Sequence, residues 1–479
     1  MSFTSIPFFV LFAVVYLLIL AFNFKSVRSR LSEKLQLALK HTILLVASYI
    51  FYGWWDYRFC FLMLLLTFVA WLCSKKIYEN SHRRLFTVIG VAFPLVVLGF
   101  FKYFNFFLNS FTDLFLIESN TVLNIILPVG ISFYTFQSMS YTIDVLRGSV
   151  SCCSFPDVAL YISFFPQLVA GPIVKAADFM PQLKKNEPLK LTDFSVGVQI
   201  FAFGLFKKIV IADNLSVFVD DVFAKPLAFS SLSVVLAVIS YSIQIYCDFS
   251  GYSDMAIGVA RCFGYDFKAN FNMPYISKNV TEFWKRWHIS LSSWLQEYLY
   301  IPLGGNRKGK TRRYINLLLT MVLGGLWHGA NYTFVFWGLL HGIVLCVHKA
   351  FATLRKGGKR TAFGSAISVL LTYAFVCVCW VFFRAENFET ALDILSKMFV
   401  WSSGITQVFS WSVFSVAVLA AATLFAAVKA KREGSKEING YYPVLDLNRL
   451  SGLTLFFLEI IFIVMLAYTN SNPFIYFQF

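Results

Sequence analysis

Long apolar runs alternate with short polar connectors along most of this chain, and a membrane-spanning helix needs about 20 such residues. The runs fall near 5–23, 37–54, 57–74, 85–101, 121–143, 157–172, 194–212, 229–247, 315–331, 332–350, 363–383, 410–429 and 452–470. The pattern predicts an all-α, polytopic integral membrane protein with about 11–13 membrane-embedded helices, some of them tilted, short or re-entrant. The stretch 260–313 departs from it, mixing Asp266, Lys268, Asn270, Asn272, Lys278, Asn279, Glu282, Lys285, Arg286, His288 and Glu297 with aromatic residues. Polar groups at membrane depth are tolerated only inside protein or along a cavity, so this stretch is expected to form short interfacial or re-entrant helices on the cytoplasmic floor. The segment 387–400 has the periodicity of a helix lying on the membrane surface. With no internal repeat, linker or soluble domain, the chain reads as one transmembrane domain over 1–479: N-terminal helices over 1–150, a core over 151–350 and C-terminal helices over 351–479.

Composition fixes the class. Of 479 residues, 58% are hydrophobic, 19% aromatic and only 14% charged, outside the range of soluble domains. The net charge of +16 would suggest nucleic acid in a soluble protein. Here Lys and Arg sit in short loops between apolar runs, where they orient a chain in the bilayer, so nucleic acid is not an expected partner. Basic residues cluster over 25–40, 75–84, 307–313, 349–360 and 429–436, and the positive-inside rule puts these on the cytoplasmic face. The N-terminus is then outside, and the second and third helices form a hairpin whose outer turn, Gly53-Trp54-Trp55-Asp56-Tyr57, is an aromatic belt. The C-terminal helix leaves Phe479 outside as well. The first run has no basic residues before it and is too long for a cleaved signal, so a retained transmembrane helix is expected. The nine cysteines, Cys60, Cys73, Cys152, Cys153, Cys247, Cys262, Cys346, Cys377 and Cys379, lie mostly in apolar segments without CxxC spacing. They read as small hydrophobes, not as disulfides or zinc ligands.

A polar side chain at membrane depth costs several kcal/mol unless it is paired or faces water, which makes such residues the first functional candidates. His328, in Gly324-Gly325-Leu326-Trp327-His328-Gly329-Ala330-Asn331, interrupts an apolar stretch over 314–347, and the charge topology puts it in the outer half of the membrane. Six histidines invite a test for metal, but His341 and His348 lie two helical turns apart, roughly 10 Å, too far to share an ion. No HExxH spacing occurs, and no metal is expected. His348 beside Lys349 reads as interfacial, while His41 and His82 fall in basic loops and need no role. No Gly-x-Ser-x-Gly elbow occurs; Ser250-Gly251-Tyr252-Ser253-Asp254 reads as a tight helix crossing between small residues. Asp248, near the end of an apolar segment, needs a partner. His288, in Phe283-Trp284-Lys285-Arg286-Trp287-His288-Ile289-Ser290-Leu291-Ser292, shares with His328 an aromatic setting in which a neutral imidazole can act as a general base. The two are 40 positions apart, so only the fold can join them; the alternative is that each merely hydrogen-bonds neighbouring helices.

In these same residues the chain resembles the membrane-bound O-acyltransferase family, in particular the bacterial branch containing the membrane subunit of alginate O-acetylation. The resemblance covers nearly the whole chain. It rests on Ala47-Ser48-Tyr49-Ile50-Phe51-Tyr52-Gly53-Trp54-Trp55, Phe101-Lys102-Tyr103-Phe104-Asn105-Phe106-Phe107, and Leu127-Pro128-Val129-Gly130-Ile131-Ser132-Phe133-Tyr134-Thr135-Phe136-Gln137. It continues in Phe165-Pro166-Gln167-Leu168-Val169-Ala170-Gly171-Pro172-Ile173, Asp248-Phe249-Ser250-Gly251-Tyr252-Ser253-Asp254-Met255-Ala256, the 284–292 run and Tyr300-Ile301-Pro302-Leu303-Gly304-Gly305. The His328 motif and the ending Pro473-Phe474-Ile475-Tyr476-Phe477-Gln478-Phe479 complete it. The resemblance implies a helical funnel across a bacterial inner membrane, with His328 matching the family's invariant histidine and His288 its second functional one, in a catalytic core over 151–350. It implies transfer of an activated acyl group from the cytoplasmic side toward an acceptor outside. In the alginate-like branch the group is acetyl, and it passes to a separate extracytoplasmic transferase of the SGNH type that esterifies a polysaccharide hydroxyl. The D-alanyl transfer subunit of teichoic-acid modification is a close cousin with both histidine motifs, and the helical material after Arg384 favours the acetylating branch.

These readings give an O-acetyltransferase in which His328 is a general base or a transient acyl acceptor at the outer end of a tunnel, and His288 positions or activates the donor thioester. Trp284, Trp287 and Trp327 would wall the acyl path, with Asn331 and Asp248 completing the candidate set. Lys285 and Arg286 either attract an anionic donor such as acetyl-coenzyme A or anchor the cytoplasmic face. No bound cofactor is expected. The acceptor stays open among alginate, cellulose, another exopolysaccharide and peptidoglycan. The rival reading from another class is a transporter or flippase in which His328, His288 and Asp248 form a proton or substrate pathway. A third is a structural scaffold for an export complex.

Overall fold

Most apolar runs become helices, and some carry an internal proline or glycine without breaking, as Arg83–Leu98 carries Pro94. The computed structural model describes residues 1–115, 123–354, 361–432 and 444–468, and among them there is no β-strand. Among the described residues, eight helices are long and apolar enough to cross a membrane: Ile6–Asn23, Glu33–Gly53, Arg58–Tyr78, Arg83–Phe115, Leu191–Ala224, Ser231–Cys262, Tyr332–Phe351 and Ala362–Arg384. Their burial sorts them by environment. Ile6–Asn23 keeps most of its apolar surface uncovered by protein, with only 17% of its span buried, as a lipid-facing helix should; Ser231–Cys262, at 78%, is a core helix. The chain is thus an all-helical, polytopic membrane protein. The terminal motif 473–479, part of the basic clusters 349–360 and 429–436, and the expected outer position of Phe479 lie outside the described residues.

Two expected spans take another form. The run 157–172 is not one helix but two short ones, Phe155–Ser163 and Phe165–Leu168, because Pro166 has no N–H for the Ile162 carbonyl and its ring would clash with it; the chain leaves the helical region at Phe164, whose ψ is 109°. Of the run 121–143, the part from 123 onward becomes helical only at Ile131, since Pro128 and a left-handed Gly130 (φ 75°) precede it. A Cβ at Gly130 would sit 2.6 Å from the Leu168 carbonyl oxygen, so this turn needs glycine for space as well as for its φ.

The molecule divides into two compact units, residues 1–201 with 254–268, and 202–253 with 269–479. In the first, Glu33–Gly53 and Arg58–Tyr78 form the expected hairpin around Trp54, Trp55 and Tyr57, all exposed. His41, expected in a loop, lies instead inside Glu33–Gly53. It is buried there, with Nδ1 3.0 Å from Asp157 Oδ1 and Nε2 3.0 Å from the Leu183 carbonyl oxygen. A basic-looking flank hid it because Lys34 and Lys40 belong to the same helix.

The second unit holds every residue singled out for chemistry. Its share of the 260–313 stretch, from residue 269, holds short helices, among them Val280–Arg286, Ile289–Leu295 and the π-helical turn Gln296–Tyr300. Lys310–His328 and Tyr332–Leu354 form an antiparallel hairpin, and Phe388–Phe399 is the amphipathic helix foreseen over 387–400, capped by Asn387. The Ser250-to-Asp254 run is a tight crossing: a Cβ on Gly251 would lie 2.7 Å from the Gly204 carbonyl oxygen. Beside it a π-helical turn, Phe206–Ala212, turns Lys208 onto two carboxylates, Asp213 at 2.7 Å and Asp248 at 2.5 Å. Asp248 therefore has the partner its position demanded.

Candidate active site

Glycine places His328. In the Lys310–His328 and Tyr332–Leu354 hairpin, a Cβ on Gly325 would sit 2.2 Å from the Phe334 carbonyl oxygen, and one on Gly338 would sit 2.3 Å from that of Met321. The two backbones touch, and that contact fixes the end of the first helix, where His328 is the last residue. Asn331 locks the turn: its Oδ1 accepts from the Thr333 N–H at 3.0 Å, and its Nδ2 donates to the Glu386 carbonyl oxygen at 2.8 Å. The imidazole is 3% exposed and is ringed by Trp327 at 5.0 Å, Trp337 at 5.1 Å and Phe383 at 5.2 Å between ring centroids, all near edge-on.

His288 arrives by a different device. It is the residue before Ile289–Leu295 and holds a left-handed backbone (φ 44°), uncommon for a residue with a Cβ and concentrated at functional sites. Asn270 clamps this turn. Its carbonyl oxygen accepts from the Ile289 N–H at 2.9 Å, and its Oδ1 accepts from the Ser290 N–H and hydroxyl at 3.1 and 2.9 Å and lies 3.3 Å from His288 Nδ1. Asn270 Nδ2 in turn donates to Ser253 Oγ at 3.1 Å. The His288 ring is fully buried, edge-on to Phe249 at 4.6 Å, and burial lowers its pKa from 6.5 to about 3, so it stays neutral at physiological pH. Its Nε2 meets no hydrogen-bond partner among the described residues, an arrangement that costs about 1–3 kcal/mol and calls for a function.

The fold brings the two histidines together, their ring centroids 6.5 Å apart, with Trp327 touching both at 5.0 and 6.1 Å. The two buried imidazoles stand beside one another, tilted by 59°, and the surrounding rings exclude water. Trp287 does not face His328 but lies behind His288, stacked on Phe283 at 5.6 Å and against Trp380 at 4.9 Å. Trp284 Nε1 donates to His341 Nδ1 at 3.3 Å. Arg286 is held by Glu282 at 3.1 Å and by the Asn272 carbonyl oxygen at 3.1 Å, whereas its neighbour Lys285 is exposed. Asp248 belongs to the Lys208 cluster, and its chain neighbour Phe249 is the ring that touches His288.

Sequence reasoning missed Asn270, Phe383, Trp337 and His341. His341 was weighed only as a metal ligand. Its spacing of four from Trp337, which puts both on one helix face, was the available signal. His348 is hydrogen-bonded to the Thr281 hydroxyl at 2.9 Å.

The model of the membrane-bound O-acyltransferase family matches residues 144–385, which include both histidines. The chain is 39% identical to a probable alginate O-acetylase of Pseudomonas putida over 92% of this chain and 94% of that protein. It is 40% identical to a peptidoglycan O-acetyltransferase of Helicobacter pylori over 74% of this chain and 73% of the relative. A teichoic acid D-alanyltransferase of Bacillus subtilis is similar at 26% identity over 56% of this chain and 71% of its own length.

Proposed function

The chain belongs to the membrane-bound O-acyltransferase family and is an acyltransferase, and from that premise we propose that it moves an acetyl group from a cytoplasmic thioester, acetyl-coenzyme A, to a hydroxyl acceptor serving an exported polysaccharide. The observation that carries this reading is the buried pair His288 and His328, 6.5 Å apart inside an aromatic enclosure. An acceptor hydroxyl gives its proton to His328 as its oxygen bonds to the thioester carbonyl carbon. The carbon–sulfur bond then breaks, and the departing sulfur takes the proton back, leaving an ester and a free thiol. His328 sits at a helix C-terminus, whose partial negative charge stabilises the imidazolium during this exchange. His288, held neutral, aligns the donor and does not compete for the proton.

Acetyl is favoured over D-alanyl because relatives named for acetylation stand near 40% identity over most of the chain, against 26% over a shorter match. The named relatives acetylate alginate or peptidoglycan, so this chain's acceptor is a polysaccharide, reached directly or through an extracytoplasmic SGNH-type partner. The reading places the chain in a bacterial cytoplasmic membrane with both termini outside, and gives exposed Lys285 the task of attracting the anionic donor. The test is the ester content of the exported polymer in a deletion strain carrying wild type, His328→Ala or His288→Ala at matched abundance. His328→Ala should abolish alkali-labile acetate and His288→Ala should reduce it severely; acetate that persists with His328→Ala removes the catalytic role.

A further inference from the structure

We propose that Trp337 and His341 hold the carbonyl oxygen of the acyl group during transfer, a role that rests on the acyl-transfer reading above. The two stand one turn apart on one face of Tyr332–Leu354 and are 1% and 0% exposed. Trp337 touches both His328 and His341, its ring 5.1 Å from the first and 4.9 Å from the second. Because Trp284 Nε1–H donates to His341 Nδ1, the proton of a neutral His341 is on Nε2. Among the described residues neither Trp337 Nε1 nor His341 Nε2 meets an acceptor. Buried donors left unmet are rare in native proteins, and two together beside a candidate base are the arrangement expected where negative charge develops.

The chemistry supplies that charge. When an acceptor hydroxyl adds to the thioester carbonyl and its proton moves to His328, the carbonyl π electrons pass to oxygen and a tetrahedral oxyanion forms. The two N–H groups stabilise it. Collapse of the oxyanion restores the C=O bond and expels the sulfur, which leaves as a thiol with the proton from His328. Phe283 and Phe375 pack on His341 at 6.1 and 5.4 Å and keep the donors out of water, where such bonds are strongest.

Membranes carrying the full chain at equal abundance, supplied with carbonyl-labelled acetyl-coenzyme A, give kcat and KM for label passed to alkali-labile ester. Trp337→Phe keeps an aromatic ring against His328 and loses only the indole N–H; kcat should fall about 10²-fold while KM holds within about threefold. His341→Phe should behave alike, and His341→Gln, which keeps an N–H, should retain about tenfold more activity than His341→Phe. Phe variants within about twofold of wild-type kcat overturn the proposal, as do equal losses in His341→Gln and His341→Phe, which would mark packing. Should Trp337→Phe fail to accumulate, the two His341 variants decide. Label transfer that is missing from wild type or that survives His328→Ala defeats the acyl-transfer reading and this inference with it. His328-dependent transfer with fully active Phe variants defeats the inference alone.

Discussion

Substituting Gly338 by alanine tests whether backbone contact in the Lys310–His328 and Tyr332–Leu354 hairpin sets the reacting geometry. The new methyl group would start 2.3 Å from the Met321 carbonyl oxygen, where ordinary contact begins near 3.4 Å, and a backbone oxygen in a helix cannot swing aside. The helices must separate by about 1 Å, and His328, seven residues after Met321 on the same helix, moves with them. A displacement of about 1 Å at a reacting group costs about 10²-fold in rate, or roughly 2.7 kcal/mol of barrier. Helix propensity runs the other way, because alanine stabilises a helix interior by about 1 kcal/mol over glycine. Loss of activity would therefore report geometry and not a weakened helix. Gly342→Ala is the control on the same face: its Cβ would meet the tip of the Leu318 side chain at 2.9 Å, which can rotate away, and the Met321 Cβ at 3.3 Å, which need yield only a few tenths of an ångström. The assay is acetyl transfer per folded molecule, with folded yield taken from size-exclusion profiles. Gly338→Ala transferring as well as Gly342→Ala would refute the reasoning.

Other outcomes follow from the same geometry. Burial lowers the His288 pKa from 6.5 to about 3, so the unfolded chain takes up a proton that the folded one refuses. The stability contributed by the neutral ring is complete above about pH 6.5 and is lost progressively as pH falls toward about 3. Melting midpoints should fall more steeply on acidification in wild type than in His288→Gln, and parallel curves would contradict this. Lys208→Met leaves Asp213 and Asp248 buried without their ammonium, a cost of about 3–5 kcal/mol. Folded yield should collapse and recover in part when both carboxylates are also made amides; wild-type yield from the single variant would dismiss the cluster as a stability element. Asn331→Ala removes a helix cap and the tie to Glu386, costing about 1 kcal/mol, and should lower transfer a few-fold without loss of abundance.

Long apolar runs were readable because a span must satisfy its backbone within itself, so Ile6–Asn23 and Ala362–Arg384 match the hydropathy within a residue or so. The run 157–172 departs from its hydropathy for a local reason: hydropathy averages over Pro166, while the chain does not. At the site, His328 announced itself by its cost in an oily segment, and Asp248 by its want of a partner. Lys208 carries the same signal, one of a pair of lysines inside the run 194–212, but the residues around it do not show which carboxylates it meets. The π-helical turn Phe206–Ala212 that turns it inward has no recognised pattern. His341 and Trp337 were hidden differently. Each sits among apolar neighbours like a packing residue, and their significance lies in hydrogen bonds that are absent, which only coordinates reveal.

The most direct test of the central claim is transfer across a sealed membrane. Everted vesicles containing the full chain, with polysaccharide acceptor and any extracytoplasmic partner trapped inside, are given labelled acetyl-coenzyme A outside, at the cytoplasmic face. Labelled ester is expected in the lumen with wild type and none with His328→Ala at equal abundance. Lumenal ester formed equally by both proteins would contradict that claim.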